Sequence, residues 1–156
     1  MAGLEAGTES MSATAHYEAD FYLWTQQQAA LLRQGEFNRV DLDCANIAEE
    51  IESMGRRDRL SLRSYLHNIL LHLLKWRYQP ERRGTSWKLS IRNGRRQARN
   101  LLKESPSLKP QLAEIMEDEY PGAREDAADE TGLPLSAFPD CCPFTIEQIT
   151  GDDWPD

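Results

Sequence analysis

Read as apolar against polar positions, the chain repeats at helical spacing almost throughout. Phe21, Trp24, Gln28 and Leu31 step by three and four, which predicts one face of a helix. Asp20 is the expected N-cap and Gly35 the expected stop. A second helix is expected after Leu42. Asp43 caps it, Leu42 packs on Ile47 as a hydrophobic staple, and Ile47, Ile51 and Met54 line its face. Gly55 is expected to end or kink it. Leu62, Leu66, Ile69, Leu73 and Trp76 then alternate steps of four and three, with Leu70, Leu74 and Tyr78 as a second row. So wide a stripe predicts the central helix of a bundle, touched on more than one side. Pro80 stops it, because proline donates no hydrogen bond and restricts Gln79 before it.

Beyond the loop "ERRGTS", Thr85 or Ser86 is the expected cap of a further helix whose face is Trp87, Ile91, Gly94, Ala98 and Leu101. The segment "SPSLKP" is a turn. The next helical stretch is divided or bent at Pro121 and ended by Gly132 and Pro134. "LPLSAFPDCCPF" is extended loop. The short helix in "TIEQIT" opens on a capping box, Thr145 with Gln148, and on a Phe144/Ile149 staple. No strand alternation exceeds a few residues. The predicted fold class is therefore all-α: a single-domain bundle of about five helices around the 62–78 helix, with a C-terminal capping segment. Residues 1–15 are read as a mobile lead-in and 16–156 as the domain.

Composition adds little to that picture. A chain of 156 residues buries roughly 70% of its unfolded surface and needs no staple. The longest apolar run, "ILLHLL", is far short of a membrane span. The first residues carry acids where a signal peptide carries Lys or Arg, so the expected location is the cytoplasm, with no membrane partner. Three cysteines, Cys44, Cys141 and Cys142, give neither a disulfide framework nor metal-ligand spacing.

The blocks "DFYLWTQQQAALLRQGEF", "NIAEEIESMGRRDR", "LLHLLKWRYQPERRGTSW", "DETGLPLSAFPDCCPFTIEQI" and "DDWPD" occur in this order. Together they resemble a bacterial family of small proteins catalogued as domain of unknown function twenty-nine. The resemblance runs from about Tyr17 to the C-terminus. It implies an all-helical fold and a bacterial origin, and it implies no catalytic residue, cofactor or substrate. The doublet Cys141–Cys142 departs from the single Cys expected before that proline.

Candidate chemistry is thin. Glu49, Glu50 and Glu52 supply carboxylates, and His67 and His72 supply imidazoles. A bundle metal site needs Glu-x-x-His or two ligands four apart. His67 and His72 are five apart and diverge by about 140° round a helix. A metal-dependent hydrolase using Glu49, Glu52 and one histidine is therefore only a second alternative, and no metal or cofactor is expected. Cys141 and Cys142 have no nearby cation to lower a thiol pKa, so nucleophilic catalysis is not expected. Trp24, Trp76 and Trp87 sit on apolar stripes and read as core. Trp154 is expected to dock and hold the C-terminus down.

Charge changes the picture most. Residues 1–54 carry two basic and ten acidic side chains, residues 55–103 fourteen and two, and residues 104–156 two and fourteen. Arg82, Arg83, Lys88, Arg92, Arg96, Arg99 and Lys103 form a basic stripe suited to phosphate contacts. Yet Arg92–Arg96, Arg95–Arg99 and Arg99–Lys103 are like-charge pairs four apart, as are Glu125–Asp129 and Asp126–Glu130. Packing the acidic helix on the basic one relieves both sets, so that reading is preferred to nucleic-acid binding, and an acidic protein partner is third. Arg82 and Arg83 at the loop end are expected to stay free. The function expected is that of a non-enzymatic interaction protein with no named partner. A nucleic-acid-binding module is the first alternative.

Overall fold

A computed structural model describes residues 17–19, 21–35 and 37–155, without the side chains of Phe21, Tyr22 and Thr25. Among these residues lie five α-helices and no strand. They are α1 (Phe21–Gln34), α2 (Cys44–Tyr78), α3 (Thr85–Glu104), α4 (Leu112–Thr131) and α5 (Ile146–Thr150). Short 3-10 turns occupy Pro80–Arg82, Pro106–Gln111 and Leu135–Ala137. The fold is all-α, as the periodicity predicts. The Asp20 cap, the Phe21 side chain and the 1–15 lead-in lie outside the described residues. The chain forms two compact units, one ending at Met54 and the other beginning at Gly55.

In the first unit α1 buries Trp24, Gln28 and Leu31. Gln28 sits on an apolar stripe because the loop before α2 satisfies its amide. Its Nε2 donates to the Asp41 carbonyl at 3.0 Å and its Oε1 accepts from the Asp43 amide at 2.8 Å. Asp43 caps α2 by accepting from the Asn46 amide at 3.3 Å, and Leu42 is buried. The burial expected for Ile51 and Met54 does not occur; they are 63% and 62% exposed. Just ahead of α2, Asp43 accepts from the Trp24 indole and the Asn46 side chain, and on α2 Glu50 accepts from the Tyr17 hydroxyl.

The helix expected to end or kink at Gly55 runs on through it as one element of 35 residues. Gly55 is exposed, and a Cβ added there would meet no neighbouring group within 4 Å. An exposed glycine costs only about 1 kcal/mol against alanine, too little to interrupt a helix already propagating on both sides. Likewise α4 is unbroken at Pro121. Pro121 is exposed, and buried Tyr120 and Ala123 flank it. Their packing offsets the hydrogen bond that proline removes.

The second unit is built round the later part of α2. Leu62, Leu66, Ile69, Leu70, Leu73 and Leu74 are at most 1% exposed. Against them pack Ile91, Ala98 and Leu102 of α3, Ile115, Tyr120 and Ala127 of α4, and Phe138, Phe144 and Ile149 of the C-terminal segment. Gly94 lets α3 approach closely, since a Cβ there would stand 2.7 Å from Ile69 Cγ1. Gly132 ends α4 at φ 72°, donating to the Ala128 carbonyl at 2.9 Å. Thr145 and Gln148 form the expected capping box on α5, and both staple residues, Phe144 and Ile149, are buried. The cap expected of Thr85 or Ser86 is absent. Gly84 occupies the N-cap position of α3, with no side-chain cap bond.

Candidate nucleic-acid interface

The sequence of α3 divides it lengthwise. Ile91, Gly94, Ala98 and Leu102 turn inward and are buried. Lys88, Arg92, Arg96, Arg99 and Lys103 fall on an arc about 80° wide and some 22 Å long. All five are exposed. Arg99 pairs with Asp152 at 2.8 Å. Among the described residues, Lys88, Arg92, Arg96 and Lys103 meet no carboxylate at salt-bridge distance. Arg96 donates to the Asn93 side chain at 3.0 Å, and Lys88 lies 5.9 Å from the Trp154 ring. Arg82 is exposed in the loop ahead of the helix.

Arg83 does not join this row. It is half-buried, donates to the Trp76 carbonyl at 2.7 Å and lies over the Trp76 ring at 5.0 Å. The expectation that Arg83 stays free is thus corrected: the turn at Pro80–Arg82 folds it back onto the end of α2.

The expected internal charge match exists, but between other helices. The acids of α4 answer bases of α2. Arg63 pairs with Glu119 at 2.6 Å, Lys75 with Glu130 at 2.6 Å, and Arg59 with Glu114 at 3.7 Å. His67 lies between two carboxylates, with Nδ1 at 3.3 Å from Glu119 and Nε2 at 2.7 Å from Asp126. The acidic helix therefore does not cover the α3 stripe. Of the like-charged Asp126–Glu130 pair, Glu130 is answered by Lys75.

From residue 16 to residue 155 the chain matches the family described as domain of unknown function DUF29. It belongs to that family. No curated protein and no solved structure matches it.

Sequence reasoning passed over the residue that holds the C-terminal segment of this DUF29 chain on α3. Arg95 is 2% exposed. Its Nε donates to the Ile149 carbonyl at 3.3 Å, and its Nη2 donates to the carbonyls of Asp153, at 2.5 Å, and Gln148. Trp154 stacks under the guanidinium at 5.3 Å and against Trp76 at 4.8 Å, so the tail tryptophan docks as expected. Burial pulls the Arg95 pKa below its ordinary value, and the neighbouring Asp152 opposes that pull. The signal was present: Arg95 is four after Ile91 and three before Ala98, which places it beside the buried face.

The other candidates are scattered. Among the described residues, no three His, Cys, Asp or Glu side chains are grouped to hold a metal ion. Glu49 and Glu52 are exposed, and Glu50 accepts from the Tyr17 hydroxyl. His72 is half-buried, with Nδ1 at 2.8 Å from the Asn68 carbonyl, and burial lowers its pKa. The three cysteines are free thiols. Burial raises the Cys142 pKa, which works against a thiolate nucleophile. No described helix is long and apolar enough to cross a membrane.

Proposed function

We propose that this DUF29 protein is a non-enzymatic binding module of the bacterial cytoplasm, and that its partner is the phosphate backbone of a nucleic acid. One observation carries the reading: Lys88, Arg92, Arg96 and Lys103 lie in a row on the solvent face of α3 with no carboxylate at salt-bridge distance among the described residues. A row of cations on a rigid helix matches a row of phosphates, and each contact releases condensed counterions. The sequence alone favoured an internal charge match for this stripe. The pairing of Glu119 and Glu130 of α4 with α2 supports the nucleic-acid reading instead.

The formal net charge of −8 opposes approach of a polyanion but does not forbid it. At physiological salt, charges beyond about 8 Å are largely screened, and Glu119 and Glu130 are partly neutralised by Arg63 and Lys75. With about four phosphate contacts, log affinity against log salt has a slope of roughly −3 to −4. The test is fluorescence anisotropy with labelled duplex DNA and single-stranded RNA across a salt series. The reading expects binding at low salt that weakens along such a slope. No binding at low salt, or affinity indifferent to salt, ends it.

A further inference from the structure

Where α3 ends, its last turn meets the 3-10 turn at Pro106–Gln111, the start of α4, and α5. These elements enclose a cleft of about 510 Å³. That volume lies within the range of sites for small organic molecules. Its floor is apolar, made by Leu102 and Leu112, 6% and 7% exposed, and by half-buried Ile146. Its rim is cationic, made by Arg99, Lys103 and Lys109. Among the described residues, no Asp or Glu lines it. Arg99 shares its charge with Asp152, whereas Lys103 and Lys109 meet no carboxylate at salt-bridge distance among the described residues.

A second gap lies behind the floor, bounded by Leu66, Leu112, Met116, Ile146 and Ile149. It is too narrow for water and is entirely apolar in its side chains but for Thr150, whose hydroxyl donates to the Ile146 carbonyl at 2.8 Å. The two spaces share Leu112, Ile146 and Thr150. Met116, an unbranched thioether, is the most adaptable side chain of that wall.

We propose that this cleft binds a small amphipathic anion, with an apolar body on the Leu102–Leu112–Ile146 floor and a carboxylate at Lys103 and Lys109. Both parts are needed. An apolar body alone leaves the rim without a counter-charge. A bare anion alone gains only exposed, screened ion pairs, which are weak. The site goes beyond nucleic-acid binding and does not rest on it, although Arg99 and Lys103 belong to both.

The test is NMR titration of the full chain with octanoate, octanol and acetate. Octanoate is expected to give saturable shifts centred on Leu102, Leu112, Ile146 and Thr150. Octanol and acetate are expected to bind at least about tenfold more weakly, the ratio for losing one well-made contact. The Lys103→Glu/Lys109→Glu double variant, altered only at exposed positions, is expected to lose octanoate binding by a similar factor. Arg92→Glu/Arg96→Glu, which would weaken nucleic-acid binding, is expected to leave it unchanged. Octanol binding as tightly as octanoate overturns the proposal, as do octanoate shifts spread over the surface or a K103E/K109E variant that binds octanoate like the wild type.

Discussion

Arg95 shows how one side chain joins stability to the exposed face. Its guanidinium satisfies carbonyls of Gln148, Ile149 and Asp153, and it faces the ring of Trp154. Arg95→Met keeps the bulk and removes every donor, so those acceptors lose their partner. The expected loss is about 2–3 kcal/mol by urea denaturation, together with a changed near-UV signal from Trp154. Arg95→Lys keeps the charge but not the planar fork, and is expected to lose less. His72 gives a pH dependence. Burial, the largest cause, lowers its pKa from 6.5, helped by Lys75 and opposed by the Asn68 carbonyl and Glu130. The unfolded chain therefore takes up the proton more readily than the folded one. The stability contributed by neutral His72 is full above pH 6.5 and falls as pH drops below it. Urea midpoints measured at pH 7.5 and about 5.5 are expected to differ less in His72→Asn than in the wild type.

Two glycines make opposite predictions at the scale of the helix. Gly55→Ala fills open space on an exposed turn of α2 and is expected to stabilise by about 0.5–1 kcal/mol. Gly94→Ala gains the same propensity but drives a methyl to 2.7 Å from Ile69 Cγ1. Ile69 is fully buried and has no room to retreat, so a net loss of about 1–2 kcal/mol is expected. Denaturant midpoints of the two variants check both signs. These positions also mark what was legible in the sequence. Asp43, Gly132 and the Thr145/Gln148 box end or begin helices where local chemistry says they should, because capping depends on a few adjacent residues. At Gly55 and Pro121, where an end or a bend is expected, the helix continues, since a weak local penalty gives way to packing on either side. Ile51 and Met54 line one face of the helix as the spacing predicts but stay exposed, because periodicity identifies a stripe without supplying a neighbour to cover it.

Over the whole molecule, segment charges are legible in the sequence and their pairing is not. Residues 55–103 and 104–156 carry opposite excesses, which suggested α3 against α4. Yet Arg59, Arg63, His67 and Lys75, the partners of the α4 acids, all lie on α2. Which basic helix an acidic helix meets depends on how apolar faces dock, and here both α3 and α4 contribute to the core around α2. One consequence is that α3 turns a row of cations to solvent. The most direct test of that claim compares the salt dependence of DNA binding by the wild type and by Arg92→Glu/Arg96→Glu. With two contacts removed from about four, the slope is expected to become shallower by about 2, with weaker affinity at every salt concentration. An unchanged slope and affinity in the double variant would contradict the assignment of the α3 face as the binding surface.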